Sequence, residues 1–233
     1  SEVKALTLTD DVVEFMALQL QKLPEVTQNV LKLAACIGNQ FDLTTLAIIC
    51  EQSEAQTAAD LWKALQFGLI IPQSEVYKFY LESETQFRQE LKNSQIVNYK
   101  FLHDRVQQAA YLLIEEENQQ KTHLKIGRIL LNKIPKQEQE NKIFDIVNQI
   151  NIGLELITDS SQKKEFARLN LIATRKAKDA TAYISAAKYA ENGRFLLLEN
   201  SWNYQYELTL CLSQLQACNF WFWSVILSFL VLQ

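Results

Sequence analysis

Glycine and proline are scarce in this sequence, at five and three of 233 residues. Sheet-rich sandwiches and barrels need turn residues every few positions, so this scarcity excludes them and predicts long helices. Histidine is scarcer still: His103 and His123 are the only two. They would lie about five helical turns apart even if one helix joined them. The four cysteines, Cys36, Cys50, Cys211 and Cys218, form no C-x-x-C pair. A zinc site is therefore not expected, and Cys36 and Cys50, in apolar helical runs, read as buried thiols. The sequence has no G-x-x-x-x-G-K-[ST] phosphate loop, no kinase glycine-rich loop and no H-R-D or D-F-G triplet. It also lacks a paired-carboxylate or nucleophile–base constellation, so no catalytic residue is assigned. A net charge of −4 gives no general reason to bind nucleic acid or an acidic membrane. Ser1–Asp11 is polar, with charges of both signs, and does not read as a signal peptide. The expectation is a cytoplasmic chain and, since it starts without methionine, a fragment.

What is present is ordinary for a globular protein: 48% apolar and 21% charged residues, in a length suited to one or two domains. Thr9-Asp10-Asp11 is expected to cap a first helix with Val12, Met16 and Leu20 on one face. A second helix, from Pro24 to Ile37, carries Val26, Val30, Leu33, Ala34 and Ile37 and ends at Gly38. Asp42 should cap a third helix, with Phe41 stapled onto Leu46, and Ser53-Glu54-Ala55-Gln56 reads as a capping box for a fourth. That fourth helix runs through Leu61, Trp62 and Leu65 and stops at Gly68. Strands are predicted at Leu69–Ile71, at Tyr77–Tyr80 and at Val97–Phe101, the last two paired, with a polar excursion over Glu82–Asn93 between them.

Three helices followed by a small β-hairpin is the order of a winged helix. Such folds usually bind DNA, which requires a basic face. The expected recognition helix, Ala55–Phe67, holds one lysine and one aspartate. The wing sets Glu75, Glu82, Glu84 and Glu90 against Lys78, Arg88 and Lys92. This winged helix therefore reads as a protein–protein or intramolecular module, and the rival is a transcription regulator with a helical effector domain.

Beyond Glu117 the pattern is helical, with predicted helices at Lys121–Ile134, Gln137–Ile157, Gln162–Lys178 and Ala182–Leu198. The last carries Ala186, Ala187, Ala190, Phe195 and Leu198 on its apolar stripe. Alanine-lined faces opposite bulkier ones suit antiparallel pairs stacked as in a tetratricopeptide-like array. Glu115-Glu116-Glu117 reads as a solvated helix end. The fold class is mainly α, divided into a linking helix over 1–22, a winged-helix domain over 23–117, a helical-repeat region over 118–212 and an apolar tail over 213–233. Within that tail Phe220–Leu232, at about 13 residues, falls short of the roughly 20 that cross a bilayer. The competing readings are an interrupted gene and a membrane anchor.

The stretch from Tyr99 to Tyr111 is central. Tyr99 and Phe101 alternate with Lys100 as in a half-buried strand, and from Val106 the apolar spacing turns helical, through Ala109, Ala110, Leu113 and Ile114. His103 and Asp104 sit at the switch. Asp104 complements the helix dipole, and His103 beside free N–H groups is a candidate phosphate contact. The alternative is that His103 only satisfies its own helix end.

Leu23–Leu43, Tyr99–Tyr111, Thr122–Arg128 and Ile143–Gln149 together resemble the large cyanobacterial multi-domain signalling kinases, over about residues 6–212. In that family a serine/threonine kinase domain precedes an AAA-like, STAND-type ATPase, a helical region, a GAF sensor and a histidine kinase. The resemblance implies a non-catalytic regulatory segment just after the nucleotide-binding core. The winged helix would clamp that core, and the helices would bind a partner or relay state to downstream sensor and kinase domains. It also implies ADP or ATP for the parent protein, with no cofactor held by this chain alone. Leu102-His103-Asp104 is similar to the Met-His-Asp motif of plant resistance-type STAND ATPases. The resemblance assigns His103 to the ADP β-phosphate and implies a packed side chain at Leu102.

Overall fold

The computed structural model describes the backbone of residues 2–73 and 97–197, and the side chains among these from Val12 onward. The expected strand at Tyr77–Tyr80, the excursion over Glu82–Asn93, the wing charges, Cys211, Cys218 and the apolar tail lie outside the described residues. What is described is mainly helical, with ten α-helices and one small sheet. The chain divides into two compact units, Ser1–Gln119 and Gln120–Gln233.

In the first unit, α1 (Glu2–Gln21) starts well before the predicted cap at Thr9–Asp11. No glycine or proline interrupts Glu2–Leu8, so nothing stops the helix from continuing upstream. Its inward face is Val13, Met16, Ala17 and Leu20; Val12, expected inside, is exposed, and Val13 takes its place. This stripe packs along α5 (Asp104–Leu112). Helix α2 (Glu25–Ile37) begins one residue later than expected, with Pro24 as its N-cap. Val30, Leu31, Ala34 and Ala35 are buried, whereas Val26 faces out. Gly38, with φ +150°, ends the helix in a conformation that side chains disfavour, and its N–H donates to the Ala34 carbonyl.

Strand β1 (Gln40–Asp42) was not foreseen from the sequence. It supplies Phe41, which stacks on Tyr99 at 5.8 Å and meets Phe101 at 5.5 Å. Asp42 caps α3 (Leu43–Cys50) as expected, its carboxylate accepting from the Thr45 N–H. The capping box before α4 (Glu54–Gln66) is only half formed. Ser53 accepts from the Gln56 N–H at 3.2 Å, but the Gln56 side chain turns to Asp60 at 2.8 Å. After Gly68, at φ +65°, come β2 (Ile70–Pro72) and then β3 (Asn98–Phe101). The sheet order is β1-β3-β2, antiparallel throughout, with Phe41 opposite Tyr99 and Ile70 opposite Phe101. The partners of β3 among the described residues are therefore β1 and β2. Phe41, Ile70, Tyr99 and Phe101 are all buried and join α1–α5 in one apolar core.

The second unit contains α6 (Glu116–Lys133) from Gln120 onward, α7 (Lys136–Gln139), α8 (Ile143–Ile152), α9 (Ser160–Asp179) and α10 (Tyr183–Phe195). The predicted single helix over Gln137–Ile157 is interrupted twice. It breaks between α7 and α8, and after Gly153 it tightens into a 3₁₀ turn, Leu154–Leu156. Carbonyls at the first break are satisfied from elsewhere: Lys176 Nζ donates to Glu140 O at 2.8 Å and to Asn141 O at 3.3 Å. Gly153 is needed at the second, because an added Cβ would sit 2.9 Å from both Gln120 O and Leu124 Cβ. Asp159 caps α9 through the Gln162 N–H at 2.7 Å. The pairings of Lys176 with Glu140 and of Asn170 with Asn151 make α9 antiparallel to α8. Ala186 and Ala190 of α10 are buried as expected, but Phe195 is exposed and Leu196 fills the core instead. Leu198 lies outside the described residues.

Candidate functional site

The strand-to-helix switch is built by backbone hydrogen bonds from two loops. Phe101 N donates to Asn39 O at 2.9 Å, and Leu102 N donates to Leu69 O at 3.0 Å. This anchors the end of β3 on both sides just before the chain turns. His103 then has extended angles, φ −146° and ψ 147°, and its carbonyl accepts from Val106 N at 2.9 Å to open α5. His103 is thus the N-cap of α5 by position, but its imidazole makes no capping hydrogen bond and is exposed. The helix end is served by the backbone and by Asp104, whose carboxylate sits in the first turn against the helix dipole.

Asp104 is also exposed, and its Oδ1 accepts from Asn39 Nδ2 at 2.7 Å. One turn on, Gln107 Nε2 donates to Ala35 O at 3.1 Å. Two side-chain bonds across more than sixty residues therefore tie the start of α5 to the end of α2. Leu102 departs from the expectation: it is 54% exposed, not packed. Residue alternation explains this. Tyr99 and Phe101 face the core, so Leu102, next in sequence, faces away. The structure thus brings His103 and Asp104 together on a surface that also presents an apolar side chain.

Histidine reasoning from the sequence overlooked His123. It is 4% exposed, and its Nδ1 lies 2.7 Å from Gln149 Oε1. A carbonyl oxygen only accepts, so Nδ1 carries the proton of the neutral ring. Burial pushes the imidazole pKa below its ordinary value, and the Gln149 hydrogen bond partly opposes that. The signal for this pair was Gln149 itself, an amide on the apolar face between Ile146 and Ile150, which had to find a buried partner. Two further pairs link neighbouring helices. Asn151 and Asn170 exchange hydrogen bonds at 2.9 and 3.0 Å, and Tyr189 donates to Asn148 Oδ1 at 2.9 Å.

Burial raises the Cys36 thiol to about 12. Burial, followed by the nearby Asp60 charge, does the same at Cys50. Both are protonated, unreactive thiols at neutral pH. Among the described residues no group of three or more His, Cys, Asp or Glu side chains is placed to hold a metal ion. No helix among them is long and apolar enough to cross a membrane.

No protein-family profile matches the chain, and no solved structure matches it. One curated protein does: hybrid signal transduction histidine kinase G of Dictyostelium discoideum, 30% identical over an alignment of 247 positions. The chain is similar to part of a signal-transduction histidine kinase. The match takes in 89% of this chain but only 7% of that protein. The similarity is thus to a short segment of a much longer signal-transduction protein.

Proposed function

We infer that this chain is a non-catalytic regulatory segment of a multi-domain signalling kinase. Its first unit is a winged helix that clamps a STAND-type nucleotide-binding core, and its second is the start of a tetratricopeptide-like array that relays state to sensor and kinase domains. The observation that carries the reading is the similarity over 89% of the chain to part of a histidine kinase, in a sequence with no phosphate loop and no kinase glycine-rich loop, H-R-D or D-F-G triplet. Several structural features support it. The succession α2-β1-α3-α4-β2-β3 with sheet order β1-β3-β2 suits a winged helix. The antiparallel α8 and α9, followed by α10 against α9, suit a repeat array. The exposed His103 at the start of α5 suits a contact to the β-phosphate of ADP, and exposed Leu102 beside it suits a surface covered by another domain.

In this reading ADP bound in the core draws His103 onto its phosphate and favours the closed state, and exchange for ATP releases it. The test is ADP release from the full-length protein. His103→Ala is expected to accelerate release about tenfold, the equivalent of one lost hydrogen bond to a charged group. An unchanged rate removes His103 from the mechanism.

The transcription-regulator reading finds less support at α4. Its outward side chains include Ala59, Trp62 and Gln66, followed at its C-cap by Phe67, 68% exposed, and its one lysine, Lys63, bonds Gln66 at 3.0 Å. An aromatic, nearly uncharged face suits a protein surface better than a phosphate backbone.

A further inference from the structure

We propose that Asn39 is a positioning residue for the His103–Asp104 pair: it holds the Asp104 carboxylate on the α2–β1 turn and so leaves the His103 imidazole free to meet a phosphate. The proposal rests on the nucleotide-sensing reading of His103 and adds to it a residue on a different element.

Three observations place Asn39 in this role. Its backbone carbonyl accepts from Phe101 N at 2.9 Å, so the residue is fixed against the last turn-side position of β3. Its Nδ2 donates to Asp104 Oδ1 at 2.7 Å, a bond that joins positions 65 residues apart. Its own Oδ1 is buried and has no hydrogen-bond partner among the described residues. A carboxylate can only accept, so Asn39 must present its nitrogen to Asp104, and its oxygen is left unpaired as a result. Leaving a buried amide oxygen unmatched is unfavourable, and the Asp104 contact is the interaction gained in exchange. Gly38 makes the geometry accessible, because φ +150° at that residue turns the chain sharply out of α2 directly before Asn39.

The chemical reason for such a device is charge. A carboxylate beside a phosphate-binding histidine repels the ligand and competes for the imidazole. Binding Asp104 to the Asn39 amide removes it from that competition while keeping its favourable place in the first helical turn. Gln107, bonded to Ala35 O, secures the same helix end from the next turn. Asn39 thereby acts on the ligand only through the pair it orients.

The test uses four variants of the full-length protein: His103→Ala, Asn39→Ala, Asn39→Asp and the exchange Asn39→Asp/Asp104→Asn. ADP release is measured for each, along with amide hydrogen exchange at Arg105, Val106 and Gln107. Asn39→Ala is expected to speed ADP release severalfold and to raise exchange in the first turn of α5. Asn39→Asp should be worse, since it faces one carboxylate with another. The exchange variant recreates the bond with donor and acceptor reversed and should restore both readouts. If His103→Ala speeds release while Asn39→Ala changes only thermal stability, Asn39 is structural and the proposal fails. Failure of the exchange variant to rescue release, with its fold intact, also overturns it. If His103→Ala itself has no effect, the nucleotide reading fails and the proposed role fails with it. Hydrogen exchange then still reports whether Asn39 orders the helix start.

Discussion

Asp42 makes two hydrogen bonds at 2.7 Å, accepting from Thr45 N at Oδ1 and from Thr45 Oγ1 at Oδ2. Both are lost in Asp42→Ala, which should lower stability by about 1–2 kcal/mol in urea denaturation. The buried His123–Gln149 pair gives a second residue-scale prediction, in pH. Burial depresses the folded-state pKa of His123, so the unfolded chain binds the proton more readily. The stabilisation is complete above the ordinary histidine pKa near 6.5 and is lost as pH falls below it, until the folded-state value is passed. Unfolding free energy should therefore drop between pH 7 and pH 5, by at most about 1.4 kcal/mol per pH unit from this group. His123→Gln should flatten that slope. A slope unchanged by the substitution would mean that other groups carry the acid sensitivity.

At the scale of elements, α6 and α8 meet through a glycine. An added Cβ at Gly127 would lie 2.5 Å from Ile150 Cγ1 and 3.0 Å from the Ile150 backbone nitrogen. Backbone cannot rotate away as a side chain can, so Gly127→Ala must separate the two helices. The expected cost is about 1–3 kcal/mol despite alanine's better helix propensity, read as a lowered urea midpoint. The same contact joins Thr122–Arg128 to Ile143–Gln149: His123 and Gln149 bond across the interface that Gly127 permits. In the first unit the corresponding seam is aromatic, with Phe41 of β1 between Tyr99 and Phe101 of β3. Periodicity displayed β3, whose apolar residues alternate over several positions. It did not display β1, because three residues are too few to show a period and Asp42 is also a strong helix cap.

For the whole molecule, the acidic balance and the nearly uncharged outer face of α4 predict no salt-sensitive binding to random duplex DNA. A gel shift at low ionic strength checks this. A retained complex that dissolves with added salt would favour the transcription-regulator reading. The regulatory role proposed above predicts a different kind of ligand, another domain of a long polypeptide.

Some of this protein was decided by local sequence alone. Asp42, Ser53 and Asp159 sit at helix starts because their short polar side chains reach N–H groups three residues on. Gly38 and Gly68 end helices because they accept backbone angles that side chains resist. The helical content and the strand–helix switch at His103 likewise follow from periodicity. Contacts between distant segments needed the tertiary structure. Val13 rather than Val12, and Leu196 rather than Phe195, entered the core because a neighbouring helix set which side was inward. Leu102 faced out because its neighbour Phe101 faced in. The bonds Asn39–Asp104 and His123–Gln149 join residues 65 and 26 positions apart. No local pattern encodes such pairs: burial demands that a polar group find a partner, and only the packed chain determines which one is within reach.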